Sequence, residues 1–221
     1  MTSESRTTTG LTTWLFRPSD RIAGGQALIS GLILIALTAL LASSSGLLND
    51  GVIDLHFGPD LPFWVLLAQG LINWLTLSML LLIAALWLGR GPFRWIDLFG
   101  TQALARWPML AATAYLAIPG LNSTIRDLTA EMLTKMPTDP SKVMASSAYL
   151  LDAMWLTLIS LPTLIFIVWM IWLMYHAYAV STGLKGMRAA FSFTGALILA
   201  AILSKVLIVW LLPMPGITGP A

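Results

Sequence analysis

Cysteine is absent from this chain, and charge is scarce: only 10% of its 221 residues are charged. Without thiols there is no disulfide, no cysteine nucleophile and no zinc–thiolate site, and the redox state of the compartment leaves no mark. Soluble domains carry about 25% charged residues, so this composition excludes an ordinary water-facing globule. Twelve Lys and Arg against ten Asp and Glu leave a net charge of +2 with no basic block, so nucleic acid is not an expected partner. Histidine occurs twice, as His56 and His176, never as a helical pair, and no metal centre is expected. His56, with Asp50 and Asp54 nearby, reads as part of a polar loop, and His176 as a structural hydrogen-bonding residue. Signatures of serine hydrolases, P-loops, dinucleotide folds and metalloproteases are also missing. The chain reads as non-enzymatic and free of cofactors.

What is present is apolar. Hydrophobic residues make up 57% of the chain, with ten tryptophans. There is no internal repeat. Residues 1–10 form a polar tail expected to be disordered, and residues 11–221 a single membrane domain. A helix needs roughly 20 apolar residues to cross the hydrocarbon core. Residues 26–48, 62–88, 149–180 and 191–212 meet that length, the third of these with a tilt or a kink near Pro162. A cleaved signal peptide is the rival for the first run, because "ASSSG" follows it, but a long polar stretch precedes it.

The stretch "FGTQALARWPML" is harder. Read from Ile96 to Ile118 it is long enough to span, yet Arg106 falls near its middle. A mid-membrane arginine costs at least about 2.5–3.5 kcal/mol on insertion scales. In one reading, residues 91–106 form an interfacial or partly sunken helix, and Trp107–Pro108 marks the kink into a short span. In the other, the whole piece spans and Arg106 is buried with a polar partner. The first is preferred, since Trp107 suits an interface and Arg106 can snorkel. Either way the fold class is all-α, a polytopic bundle of about five transmembrane helices.

Charge orients it. Eight cations (Arg6, Arg17, Arg21, Arg90, Arg94, Arg106, Lys185 and Arg188) would share one side, against Arg126, Lys135 and Lys142 on the other. The positive-inside rule then places the N-terminus in the cytosol and the C-terminus across the membrane.

"WLFRPSDRI" before the first span resembles the opening of bacterial-type Yip-domain (Ypt-interacting-protein-like) membrane proteins. "DLFGTQALARWP" resembles the glycine-to-proline motif ahead of their third span. The likeness covers about residues 11–212. It implies an α-helical five-span bundle with no known reaction. Eukaryotic relatives bind small Rab-type GTPases and act in vesicle traffic.

Three groups of residues are candidates for function. Trp14, Phe16, Arg17 and Arg21 form an interfacial anchor, with aromatics at headgroup depth and cations on anionic lipid. Asp97, Gln102, Arg106, Trp107 and Pro108 form an interfacial motif or a polar network in the bundle. Lys205, inside the last span, is expected either to snorkel or to pair with Asp152 beside Gln69 and Asn73 in a buried polar cluster. Ser192, Ala196, Ala200 and Ser204 make a small-residue stripe suited to internal packing. Ile125, Leu128, Met132 and Met136 mark an amphipathic helix on the outer surface. Expected partners are the lipid bilayer and another membrane protein or a second copy. The expected role is a membrane-organising or partner-binding scaffold, with a transporter or permease accessory subunit as the alternative.

Overall fold

The computed structural model describes residues 13, 15–89, 91–136 and 147–211. A short 3-10 turn at Pro18–Asp20 leads into α1 (Gly24–Ser43). Two strands follow, β1 (Leu47–Gly51) and β2 (Asp54–Phe57), then α2 (Phe63–Leu88). Two ten-residue helices come next, α3 (Trp95–Leu104) and α4 (Trp107–Leu116). The described chain ends with α5 (Pro119–Lys135), α6 (Ser147–Thr182) and α7 (Gly186–Leu211). Four of these helices, α1, α2, α6 and α7, are long and apolar enough to cross a membrane. Helix α6 has 36 residues and runs unbroken through Pro162, so it is about 54 Å long. The Tyr115 hydroxyl donates to the Ile159 carbonyl at 2.8 Å, within a turn of that proline.

The two short helices lie along α1 from end to end. Asp97 sits beside Gly24, Gly100 against Gly24 and Leu28, and Ala103 against Gly31. Farther on, Met109 shares a cavity wall with Ala39 and Ala42, and Asn122 donates to the Ser45 carbonyl at 3.0 Å. Helices α3 and α4 therefore run parallel to α1 over its whole length. Glycine makes this approach possible. A Cβ on Gly31 would collide with the Ala103 backbone, and one on Gly100 would come 2.5 Å from the Gly24 carbonyl oxygen. Small residues at such a seam let two helix backbones approach closely.

Pro108 explains the break between α3 and α4. It has no N–H to give and its ring clashes with the carbonyl four residues back, so the helical ladder is interrupted there. The kink expected at Trp107–Pro108 is where the structure has it. Within residues 91–106, expected to be interfacial or partly sunken, Gly91, Pro92, Arg94 and Trp95 are exposed. Leu98, Thr101, Gln102, Ala103 and Arg106 are all buried, because α3 is packed between α1 and α6 rather than laid along an interface.

The antiparallel hairpin β1–β2 was not expected in an all-α chain. It pairs Leu47 with Phe57 and Leu48 with His56, with a register shift before Gly51 and Asp54. It enters the bundle instead of resting on top. Asn73, the eleventh residue of α2, donates to the Asn49 carbonyl at 2.7 Å. That bond lies about 15 Å along α2 from its start. The tip residue Val52 is fully buried in one cluster with Leu77, Leu81 and Ala200.

The small-residue stripe packs internally, as expected: Ala196, Ala200 and Ser204 are buried, and Ala196 and Ala200 share a core cluster with α2. The amphipathic helix is α5, with Ile125 buried and Met136 exposed.

Gly31→Ala should push α1 and α3 apart and lower stability by about 1–3 kcal/mol, the usual cost of overpacking. Gly25→Ala, where an added Cβ meets nothing within 4 Å, should leave the detergent melting temperature unchanged or slightly raised. Thermal unfolding of the two purified variants checks the contrast.

Candidate functional site: a buried arginine and a re-entrant hairpin

Arg106 occupies the break between α3 and α4 and is only 4% exposed. The backbone turns there without left-handed strain, with Arg106 at φ −84° and ψ 0°. Among the described residues, its Nε and Nη2 atoms have no hydrogen-bond partner, and no carboxylate lies within ion-pair distance. Arg106 is thus buried, as in the second sequence reading, but the polar partner expected there is not found among the described residues. Arg106 lines a cavity of about 20 Å³ together with Thr38 and Ala39 of α1, Gly70 of α2, Met109 of α4 and Asn49 of the hairpin. Asn49 in turn accepts from Asn73. Its side-chain amide, oriented to donate, reaches the Gly51 and Asp54 carbonyls at 2.9 Å.

The rest of the motif ties α3 to its neighbours. Gln102 donates to the Met174 carbonyl at 2.8 Å, and the Thr101 and Ser181 hydroxyls are 2.9 Å apart. The Trp74 indole donates to the Phe99 carbonyl at 3.1 Å. Asp97 lies near the start of α1 and 4.0 Å from Arg94, where its charge opposes the positive end of the α1 dipole. Trp107 is half-buried. It stacks edge-on against Trp169 at 4.4 Å, and Phe16 meets the same Trp169 at 5.3 Å. Of the N-terminal anchor, Phe16, Arg17 and Arg21 are exposed at the start of α1. Trp14 lies outside the described residues. His176 faces Asp20 at 3.9 Å.

The expected Lys205–Asp152 pair does not form. Lys205 Nζ is 2.5 Å from Asp54 and 3.8 Å from Asp50, both on the hairpin. Asp152 is instead 2.8 Å from Lys135 at the end of α5. The reason is the hairpin: it brings carboxylates down to Lys205, whereas α5 brings a cation to Asp152. Asp152, hydrogen-bonded to Lys135, and then Glu131 hold that ammonium above its ordinary pKa. Gln69 and Asn73 are fully buried on α2, as expected, but Asn73 serves the hairpin, and neither polar atom of the Gln69 amide has a partner among the described residues.

Asp50, Asp54 and His56 do gather, with His56 Nδ1 at 3.5 Å from Asp54 and 3.7 Å from Asp50. The Lys205 ammonium sits against both carboxylates and offsets one of their two negative charges. Partial burial raises the Asp54 pKa, but the hydrogen bond and charge of Lys205, then His56, outweigh it and hold the carboxyl below its ordinary value. Asn49, Gly31 and Gly100 were missed in the sequence. The Asp-Gly pair in "NDGVID" was the available hairpin signal.

The ends of the bundle differ in charge. Arg94, Lys185 and Arg188 line an open cleft of about 820 Å³ between residues 91–97 and the α6–α7 connection, floored by Leu88 and Val180. Among the described residues, Lys185 and Arg188 have no acidic partner within 4 Å. Helix α7 has no acidic residue in its first turn. Asp97 also lines the cleft and faces Arg94 at 4.0 Å, so the excess positive charge rests on Lys185 and Arg188, where a helix N-terminus adds its own positive dipole end.

A double-mutant cycle of Lys205→Met with Asp54→Asn should show a coupling of about 1 kcal/mol or less, as for other partly exposed pairs, and the same cycle with Asp152→Asn none. The Asp54 carboxyl is held below its unfolded pKa, so its contribution is complete at neutral pH. It is lost only as pH falls below about 4, the ordinary aspartate value. Detergent unfolding as a function of pH checks the sign, and Lys205→Met should flatten the curve.

No family model, no curated protein and no solved structure matches this chain.

Proposed function

We propose that this chain is a non-enzymatic membrane protein that crosses the bilayer five times in the manner of Yip-like proteins and organises its membrane from its basic end. The single observation that carries the role is the cleft of Arg94, Lys185 and Arg188. It opens where α2 and α6 end and α3 and α7 begin, the level at which a bundle of this length meets headgroups. Three cations against the single carboxylate of Asp97 leave a net positive cleft that suits the phosphate of an anionic lipid, with acyl carbon against Leu88 and Val180. The 820 Å³ volume falls within the range of small-molecule sites.

The fifth crossing is supported by the run of α3 and α4 along the full length of α1. Together they cover the distance that a single 20-residue helix covers. Orientation is supported by the described cations. Arg17, Arg21, Arg94, Lys185 and Arg188 gather at one end, Arg126 and Lys135 at the other, while Arg106 belongs to neither. The "WLFRPSDRI" and "DLFGTQALARWP" motifs support the class.

A transport role is the second reading. What favours it is a hairpin that enters the bundle and meets a broken crossing at a buried cation. Irregular backbone at membrane depth is tolerated only where protein buries it or a cavity needs it, and discontinuous helices are a mark of transporter sites.

Reporter fusions should place the N-terminus in the cytosol and the C-terminus outside. Both ends on one side would remove the fifth crossing. Affinity capture from host membranes, with lipids read by mass spectrometry, should retain anionic phospholipid on the wild type and several-fold less on the R94Q/K185Q/R188Q variant. Equal retention would count against the cleft as a headgroup site.

A further inference from the structure

The bundle encloses one positive charge that no described group of opposite sign meets. Arg106 is 4% exposed, and two of its guanidinium nitrogens lack a hydrogen-bond partner among the described residues. The cavity it lines has an amide, a hydroxyl and apolar walls, with no carboxylate among the lining residues. A guanidinium cannot escape the cost of burial by shedding its proton, and a buried unpaired ion is strongly destabilising. By contrast Lys205, which is half exposed, is met by two aspartates. No described residue supplies a counter-charge to Arg106.

We propose that this cavity is a binding site for one small inorganic anion of halide size, held by the Arg106 guanidinium between α1, α2, α4 and the hairpin. Volume selects the class. A cavity needs roughly 10–15 Å³ of such volume to hold one water-sized particle, so the 20 Å³ present admits a single small ion and excludes a substituted carboxylate or phosphate. The space exists because the wall positions facing Arg106 are small: Ala39 and Ala42 on α1 and Gly70 on α2. Water could satisfy the donors but would leave the charge uncompensated; a halide does both. Asn49 places the re-entrant hairpin at the same cavity, so anion occupancy also ties that hairpin to the broken crossing. The site is independent of the basic cleft, which lies at the end of the bundle.

The test uses the full chain purified in detergent, at fixed pH and ionic strength, in chloride, bromide or gluconate. The melting temperature should rise saturably in chloride and bromide relative to gluconate, which is too large for the cavity. Chloride-35 NMR should show line broadening that bromide competes away. Arg106→Gln should melt alike in all three salts. Should that variant fail to fold, Ala39→Leu, which fills the cavity and keeps the cation, should lose the halide response and the broadening. Identical wild-type melting in chloride and gluconate, no competable broadening, or a full halide response in either variant would overturn the proposal.

Discussion

A polar or charged side chain in an apolar bundle needs shelter from lipid, and this requirement shapes the pair of short helices α3 and α4. The seam between α1 and α3 is what meets it. Gly31 and Gly100 let two backbones touch, and that closeness puts Gln102 and Arg106 between α1 and α6 instead of at a surface. With a side chain at either glycine the helices would stand apart, and lipid would reach the break that Pro108 imposes. The tight seam and the broken helix therefore belong together.

The two ends of the bundle obey the same electrostatics with opposite outcomes. At the hairpin end nearly every cation is paired: Lys205 with Asp54 and Asp50, Lys135 with Asp152 and Glu131, Arg126 near Asp60 and over the Phe57 ring. At the other end Asp97 answers Arg94 at 4.0 Å, while Lys185 and Arg188, at the start of α7, have no acid partner among the described residues. An end that neutralises itself suits a fixed structural cap. An end that leaves charge open suits a surface that takes up anionic material from outside. This asymmetry gives the basic cleft its weight in the functional reading.

Much of the fold was legible because hydrophobic runs, prolines and charge bias are local signals. Four long helices, the Trp107–Pro108 break, the amphipathic α5 and the internal packing of Ala196 and Ala200 all follow from residue order. The errors share one cause, which is pairing between segments distant in the chain. Whether Arg106 snorkels or is buried depends on Gly31, some 75 residues upstream, and nothing near Arg106 reports that. Lys205 was matched with Asp152 by depth along two helices. Its true partners sit on a hairpin that period-based reading passes over, because four- and five-residue strands leave too short an alternation to register. Gln69 and Asn73 were rightly singled out as deep polar residues, but only the hairpin shows what Asn73 is for.

That hairpin connects Lys205 and Arg106. Its first strand offers Asn49 to the cavity beside Arg106 and its carbonyl to Asn73; its second strand offers Asp54 to Lys205. A flexible lysine can reach carboxylates from a helix face, whereas the planar guanidinium of Arg106 is fixed by the break that carries it. One short element thus neutralises the mobile cation with its own charge and borders the immobile one with a neutral amide. Lys205 is half exposed and is met by carboxylates even so, whereas Arg106 is 4% exposed and meets no charge among the described residues. The proposed anion answers the more demanding of the two positions.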